Sequence, residues 1–106
     1  MDRVCFLLKV KKDQLEAYLA AHEAVWPEML RAMHDSGIRN YSMYQREDGL
    51  LVGYLEAEDT QEALRRCAET DASRRWHEYM APFFESVSPG LRAGEPLFLP
   101  EYFYMA

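Results

Sequence analysis

Residues 38–56, IRNYSMYQREDGLLVGYLE, contain the clearest structural signal in the chain. The segments 38–46 and 50–56 carry the aliphatic and aromatic side chains that are typical of β-strands. Between them stands EDG, and the dipeptide Asp48–Gly49 is a strong signal for a tight turn between antiparallel strands. The sequence therefore predicts a β-hairpin near the centre of the chain.

The segment before this hairpin predicts a strand followed by a helix. Residues 3–10, RVCFLLKV, are short and rich in strand-forming residues. Asp13 with Glu16 three residues later has the pattern of a capping box and predicts a helix start, and Gly37 supplies the end. The apolar side chains between them recur at i, i+3, i+4 and i+7. They are Leu15, Tyr18, Leu19, Val25, Trp26, Met29, Leu30 and Met33.

Pro27 interrupts this helical pattern. A proline inside a helix removes one backbone hydrogen bond and costs on the order of 3 kcal/mol. The helix therefore either kinks at Pro27, or it ends near Ala24 and a second helix starts with the proline at its first position. Because the apolar stripe keeps its phase across the proline, we expect one kinked helix.

The segment after the hairpin predicts two more helical regions. The first opens near Asp59 or Thr60, and the second follows from Thr70. Large apolar residues occupy helical spacing in the second region. They are Trp76, Tyr79, Met80, Phe83 and Phe84.

The chain closes with a predicted loop over residues 88–96 and a last strand over residues 97–104, LFLPEYFY. Because proline lacks a backbone N–H, Pro100 favours a position at a sheet edge or in a bulge for this strand. The element order is then β-α-β-β-α-β, which predicts a ferredoxin-like α+β plait in a single domain, residues 1–106. In that topology, the helices cover one face of a four-stranded antiparallel sheet.

Both faces of the predicted sheet are apolar. The first strand places on one face Val4, Phe6, Leu8 and Val10. The opposite face receives Cys5 and Leu7, and residues 50–56 are likewise apolar on both sides. A face in contact with water would alternate with polar residues. Since the helices of the chain cover one face, we predict a homodimer joined through its sheets.

Composition excludes several classes of partner. The 106 residues carry a net charge of -6 and their basic side chains are scattered, whereas binding to nucleic acid needs clustered Lys and Arg. No segment approaches the roughly 18 apolar residues of a membrane span. The sequence therefore predicts neither a nucleic-acid nor a membrane partner.

The N-terminal stretch and the cysteines indicate the compartment. MDRVCFLLKVKK contains an apolar run that is too short for a signal peptide, with no small-residue cleavage site after it. The two cysteines, Cys5 and Cys67, are far apart in the sequence and are typical of free thiols in a reducing environment. We therefore expect a cytoplasmic protein.

His22 lies on the apolar stripe of the predicted helix. Residues four apart share a helix face, so Tyr18, His22 and Trp26 form one row. A polar ring there needs hydrogen-bond partners or a cavity. Aromatic faces with polar atoms, next to a side chain that exchanges protons near neutral pH, are suited to one wall of a sugar site. The alternative is a core histidine between two packing aromatics.

Three further residues are candidates for the same site. Tyr41 lies in a predicted strand between the polar residues Asn40 and Ser42, and Trp76 and His77 lie on the last predicted helix. For each of them, packing in the core is the alternative interpretation. Their residue types nevertheless suit contact with a sugar.

The histidines do not predict a metal site. HEAVW, residues 22–26, begins like the zinc motif H-E-x-x-H, but Trp26 replaces the second histidine. His34 is about three helical turns from His22, which is too far for the two to share one ion. We expect no metal.

Four motifs in order are similar to those of a known family. The chain contains Y-x3-H-x3-WPE at 18–28, G-x-x-NYS at 37–42, TD-x4-W-x3-M at 70–80 and E-x-F at 101–103. Together they make the chain resemble the L-rhamnose mutarotase family across essentially its whole length.

This resemblance implies a dimeric ferredoxin-like enzyme that interconverts the α and β anomers of L-rhamnose or a related 6-deoxyhexose, such as L-fucose, without a cofactor. It implies that His22 donates a proton and that Tyr18 and Tyr41 contact the sugar. The family's tandem tryptophans fall on Trp76 and His77, so the second tryptophan is a histidine here. That departure leaves the choice of sugar open.

Two other functions are compatible with the sequence. A cofactor-free dimeric ferredoxin-like monooxygenase would share the fold and also use aromatic and histidine side chains. A non-catalytic module would bind a sugar without changing its rate of anomer exchange. For a mutarotase, the second group that transfers a proton stays open between Tyr41, His77 and a water molecule.

Overall fold

The computed structural model describes residues 1–106 and contains four α-helices and five β-strands. The helices are α1 Leu15–His22, α2 Pro27–Asp35, α3 Thr60–Ala68 and α4 Asp71–Met80. The strands are β1 Asp2–Val10, β2 Arg39–Gln45, β3 Leu50–Ala57, β4 Phe84–Glu85 and β5 Leu97–Leu99. All strand pairs are antiparallel in the order β2-β3-β1-β4, and β5 also pairs with β1. The predicted ferredoxin-like α+β fold is confirmed.

The β2–β3 hairpin forms where the sequence predicts it. The backbone N–H of Gly49 donates to the Arg46 carbonyl at 2.9 Å, and Gly49 has a φ of +98°. A Cβ at this position would lie 2.1 Å from the Val10 carbonyl oxygen, so glycine is required. The Asp48 carboxylate accepts hydrogen bonds of 2.9 and 2.7 Å from the Arg46 guanidinium, which hold the turn closed.

The chain breaks into two helices before Pro27, so the prediction of one kinked helix is wrong. α1 ends at His22, whereas Trp26 has an extended backbone with φ −56° and ψ 133°. A proline disfavours the helical conformation of the preceding residue and lacks the N–H that a helix interior needs. The proline therefore becomes the first residue of α2, and Trp26 leaves the helical row of Tyr18 and His22.

The start of α1 also differs from the prediction. Asp13 lies in a short 3₁₀ turn, Lys12–Gln14, that precedes the helix. No side chain caps this turn or α1, so Asp13 and Glu16 do not form a capping box. The chain enters α1 through the turn instead of through a capped first residue.

The helices α3 and α4 begin where they are expected. The Asp59 carboxylate and the Thr70 hydroxyl each accept a hydrogen bond of 3.1 Å from the backbone N–H three residues on. α4 ends at Met80, because a proline follows in the next turn. Phe83 and Phe84, which helical spacing assigns to this helix, lie instead in a 3₁₀ turn and in β4. No helix of the chain combines the length and the hydrophobicity that crossing a bilayer requires.

Two short strands share the edge of the sheet beside β1. β4 pairs with Lys9 and Val10, and β5 pairs with the segment Cys5–Leu7. β5 ends at Leu99, so the strand predicted over residues 97–104 is too long. The proline that follows cannot donate a hydrogen bond to the sheet and ends the pairing.

The helices pack on one face of the sheet. On that face, the strands contribute to the core Phe6, Val10, Leu51, Leu55 and Ala57. On the opposite face, Leu7, Val52 and Tyr54 are partly exposed. The sheet is thus apolar on both faces, as predicted, and the helices bury one of them.

Candidate active site

A cavity of about 520 Å³ lies between the helices and the covered face of the sheet. Its lining is mainly aliphatic and aromatic, with side chains from all four helices, β1, β2, β4 and β5. Six polar or titratable side chains interrupt it, namely Tyr18, His22, Tyr41, Cys67, Ser73 and His77. An apolar cavity with a few convergent polar groups is the usual form of a small-molecule site.

The His22 ring is held by its own helix and by two aromatic neighbours. Its Nδ1 lies 3.1 Å from the backbone oxygen of Tyr18, one helical turn earlier. A carbonyl oxygen can only accept, so Nδ1 carries a hydrogen and Nε2 remains to exchange a proton with the cavity. The ring centroid is 4.3 Å from that of Tyr18 and 5.3 Å from the edge-on ring of Trp76. The imidazole is therefore fixed in both tautomer and orientation.

Tyr18 and Tyr41 bring two neutral phenols to the cavity. Tyr18 is 5% exposed, and burial raises its pKa well above the ordinary range, with a further contribution from nearby Tyr41. Tyr41 is 41% exposed as a whole residue, whereas its hydroxyl is buried. Loss of water around that hydroxyl raises the pKa of Tyr41 to about 12. Both groups are therefore hydrogen-bonding hydroxyls rather than bases near neutral pH.

A β-bulge in β2 turns Tyr41 towards the cavity. Arg39 pairs with Glu56 and Ser42 pairs with Tyr54, so β2 holds one residue more than β3 over this stretch. Side chains alternate along a strand, and without the extra residue Ile38 and Tyr41 would point to opposite faces. With it, both line the cavity.

Asn40 supplies the backbone conformation of this bulge. It is the non-glycine residue with a positive φ, at +49°, a region that asparagine tolerates better than most residues. Its side-chain amide donates to the Glu56 carboxylate at 2.6 Å, which ties the bulge to β3. This bulge was not predicted from the sequence; its signal there is the odd spacing of Ile38 and Tyr41 around a turn-favouring asparagine.

Trp76 lines the cavity and Trp26 lies behind it. Trp76 is 8% exposed, and its ring centroid is 5.0 Å from that of Trp26 in an edge-to-face contact. Trp26 stacks on Tyr79 at 5.5 Å and is absent from the cavity lining. The row predicted for Tyr18, His22 and Trp26 is therefore not formed, because the break before the proline removes Trp26 from the helix face.

His77 lies on the cavity-facing stripe of α4. Its Nδ1 is 2.7 Å from the Ser73 carbonyl oxygen and 3.2 Å from the Ser73 hydroxyl. As for His22, the carbonyl fixes the hydrogen on Nδ1 and leaves Nε2 available. The structure thus brings together five of the six predicted site residues, and Trp26 is the exception.

The cavity lining also contains two polar residues that were not predicted from the sequence as site residues, Ser73 and Cys67. Both are buried, and burial raises the pKa of the Cys67 thiol. The thiol is therefore largely protonated near neutral pH and is no activated nucleophile. Ser73 precedes Trp76 and His77 by three and four residues, so its place on one helix stripe with them was the available signal. No three His, Cys, Asp or Glu side chains converge in a way that could hold a metal ion.

Sequence comparison finds relatives along the whole chain. Residues 3–105 match the model of a protein family described as L-rhamnose mutarotase. The L-rhamnose mutarotase of Bacillus subtilis is 37% identical over 89 residues, which cover 83% of this chain and 85% of that protein. The L-rhamnose mutarotase of Listeria monocytogenes serotype 4b is 36% identical over 107 residues, which cover both chains completely.

Structural comparison agrees with the sequence relatives. The crystal structure of L-rhamnose mutarotase from Formosa agariphila has a TM-score of 0.80 and 26% identity, with 100% of both chains covered. An antibiotic biosynthesis monooxygenase has a TM-score of 0.60 at 12% identity, with 94% of this chain and 97% of that one covered. At that low identity, the second likeness concerns the fold alone.

Proposed function

Since this chain belongs to the L-rhamnose mutarotase family, we propose that it is an aldose anomerase for L-rhamnose or a related 6-deoxyhexose. One observation carries the proposal: an anchored histidine, His22, faces a mainly apolar cavity that also holds the hydroxyls of Tyr18 and Tyr41 and the ring of Trp76. A 6-deoxyhexose has C–H surfaces, a methyl group and several hydroxyls. These groups match aromatic rings and fixed hydrogen-bonding side chains.

Anomer exchange requires two proton transfers and no oxidant. One proton leaves the anomeric hydroxyl, and the electron pair of that O–H bond forms the second bond of the aldehyde. The bond between C1 and the ring oxygen breaks, its electron pair stays on the ring oxygen, and a second proton arrives there. C1 then rotates and the reverse steps close the ring. Positioned acids and bases contribute about 10²–10⁴-fold to such steps.

The side chains of the cavity suit distinct roles in this reaction. His22, protonated on Nε2, donates to the ring oxygen, while its Nδ1–H stays bound to a backbone carbonyl that stabilises the imidazolium. Tyr18 and Tyr41 remain neutral and bind sugar hydroxyls. Trp76 and His77 contact the sugar from α4. Trp26 acts through Trp76, whose ring it holds from behind.

We further propose that two copies associate through their uncovered sheet faces. Support comes from the partly exposed Val52 and Tyr54 on that face. The C-terminal segment adds exposed aromatic side chains. Arg3 of β1 holds this segment against the sheet, because its guanidinium pairs with Glu101 at 2.6 Å and lies 3.4 Å from the Tyr104 ring centroid. An uncovered sheet face that carries neighbouring apolar side chains is typical of an interface. Sedimentation at micromolar concentration should give a dimer, and a monomer would contradict the proposal.

A reducing, cytoplasmic location is the accompanying proposal. Its support is that Cys5 and Cys67 are both free thiols, and a disulfide between them is absent. Thiol titration of the protein purified without reductant should count two reactive groups after unfolding. A count near zero would instead indicate oxidation.

Proton NMR saturation transfer between the α and β anomeric signals of L-rhamnose, with L-fucose in parallel, tests the mutarotase activity. We expect faster exchange with at least one sugar, and loss of that acceleration in His22→Ala. His34→Ala is the matched control, because the His34 side chain is 69% exposed and outside the cavity. Sugar binding with no acceleration would identify a non-catalytic module, and oxygen consumption with a quinol would identify a monooxygenase.

A further inference from the structure

His77 is the second histidine of the cavity, and we propose that its Nε2 accepts the proton of the anomeric hydroxyl while His22 donates one to the ring oxygen. This inference rests on the proposed mutarotase function and assigns its missing base. A tryptophan at position 77 would present an N–H donor alone, because an indole nitrogen cannot accept a proton in this way. The histidine therefore gives this chain a group that the resemblance does not supply.

The position of His77 suits a base that works at a cavity mouth. α4 turns Ser73, Trp76 and His77 towards the cavity at helical spacing, and His77 is the exposed member of this stripe. His77 also borders a smaller surface cavity of about 420 Å³, next to Arg74 and Glu78. The imidazole thus lies between the sugar site and solvent, where a proton is readily exchanged between turnovers.

The anchoring of His77 repeats that of His22. In both cases, Nδ1 donates to the backbone carbonyl four residues earlier, at 2.7 Å for Ser73 and at 3.1 Å for Tyr18. A neutral histidine with its hydrogen fixed on Nδ1 has its lone pair on Nε2, which is what a base needs. Trp76, the residue before His77 on α4, touches the His22 ring edge-on at 5.3 Å between ring centroids.

The other titratable groups of the cavity are less suited to accept a proton. Burial raises the pKa of both phenols and of the Cys67 thiol, so their anionic forms are scarce near neutral pH. The His77 imidazole instead presents a nitrogen lone pair on Nε2 without having to become an anion, because its hydrogen is held on Nδ1. The titratable or charged groups that border His77 or face it across the cavity are Tyr18, His22, Tyr41, Cys67, Arg74 and Glu78.

The two histidines together balance the reaction. When the ring opens, the proton of the anomeric hydroxyl moves to His77, and the electron pair of that O–H bond completes the aldehyde. The ring oxygen keeps the electron pair of the broken C1–O bond and takes the proton of His22. On closing, the chain hydroxyl returns its proton to His22 as it attacks C1. His77 then protonates the new anomeric oxygen. Each histidine ends the cycle in the state in which it began.

The test compares wild type, His77→Gln and the control His34→Gln by saturation transfer across a range of pH and sugar concentration. The wild-type rate should be bell-shaped in pH, because one histidine must be neutral and the other protonated. For His77→Gln, we expect kcat to fall by about 10²-fold with KM nearly unchanged, and the acidic limb to disappear. Imidazole added to His77→Ala should restore part of the rate, after subtraction of its catalysis in solution.

Three results would overturn the assignment of His77 as the base without affecting the proposed function. They are an unchanged kcat in His77→Gln, a lower kcat with both limbs of the pH profile retained, and no rescue of His77→Ala by imidazole. A wild-type protein that fails to accelerate exchange of any deoxyhexose would instead overturn the proposed function, and this inference with it. The two failures are distinguishable because the wild-type rate is measured first.

Discussion

Both faces of the sheet carry large apolar side chains, but the two faces have different surroundings. On the face that the helices cover, Leu51 and Leu55 are 2% and 1% exposed. Their strand neighbours Val52 and Tyr54, which point the other way, are only partly buried. Strands with apolar residues on both sides are fully buried only when both sheet faces are covered, and the helices of one chain cover only one of them.

The covered face is itself divided between a closed core and an open cavity. At Gly53, an added Cβ would lie 2.2 Å from the Phe6 ring, so the missing side chain makes room for that ring. Phe6 in turn meets Tyr41 edge-on, at 6.3 Å between centroids. Packing of the core therefore sets the position of a side chain in the candidate site.

The largest expected difference between the faces concerns large-to-small substitutions. Leu55→Ala should lower the free energy of unfolding by about 2–5 kcal/mol, because it leaves a cavity in the core. Val52→Ala, on the uncovered face, should have a much smaller effect in dilute protein. Its effect should grow with protein concentration if that face is an interface. Denaturant unfolding at several concentrations measures both; equal losses at every concentration would contradict the distinction.

Gly53→Ala should affect both the stability of the core and the candidate site, because Phe6 contacts both Gly53 and Tyr41. The added methyl meets the Phe6 ring, and overpacking of this kind costs about 1–3 kcal/mol. We also expect slower anomer exchange, since Phe6 supports Tyr41. Phe6→Leu combined with Gly53→Ala provides the control. If the two destabilisations simply add, the methyl and the ring do not clash as described.

Substitution of Asn40 tests the role of the β2 bulge, which turns Tyr41 towards the covered face. Asn40→Ala should lower the free energy of unfolding by about 1–2 kcal/mol, because alanine disfavours the positive φ and loses the bond to Glu56. KM for the sugar should rise, because the bulge aims Tyr41. Asn40→Gly is the matched variant, since it keeps the backbone conformation and loses only the side-chain bond. A larger effect for glycine than for alanine would refute this role of the backbone.

The smallest effect is a difference in tyrosine titration. Burial raises the pKa of Tyr41 to about 12, whereas on the other face a hydrogen bond to the Glu56 carboxylate is the main cause that raises the pKa of Tyr54. In the unfolded chain these phenols titrate near 10. The stability that Tyr41 contributes is therefore complete below about pH 10 and is lost as the pH rises through about 12.

Two variants separate these two tyrosines in an ultraviolet titration. Glu56→Gln should lower the pKa of Tyr54 and leave the Tyr41 step in place, while Tyr41→Phe should remove the late step. Ionisation of Tyr41 at the ordinary pH in wild type would show that its hydroxyl is solvated. That result would remove the argument that the phenol is neutral in the site.

Local sequence patterns predicted most of the fold. The Asp48–Gly49 turn, the helix starts at Asp59 and Thr70 and the apolar character of both faces follow from short-range preferences, and the structure has all of them. The break before Pro27 could not be predicted, because the periodicity is the same for one kinked helix and for two separate helices. The apolar stripe keeps its phase across the break, so phase alone does not reveal a change of direction.

Sequence alone determined that Tyr18 and His22 share one helix face and that this face belongs to the site. Tertiary structure alone decided that Tyr41 joins it through a bulge, that Trp26 falls behind Trp76, and that the cavity lies where four helices meet the sheet. The reason is physical: helix and strand periodicities act over neighbouring residues. The register of β2 on β3 and the packing of Trp26 depend on partners that are distant in sequence, and only the folded chain brings them together.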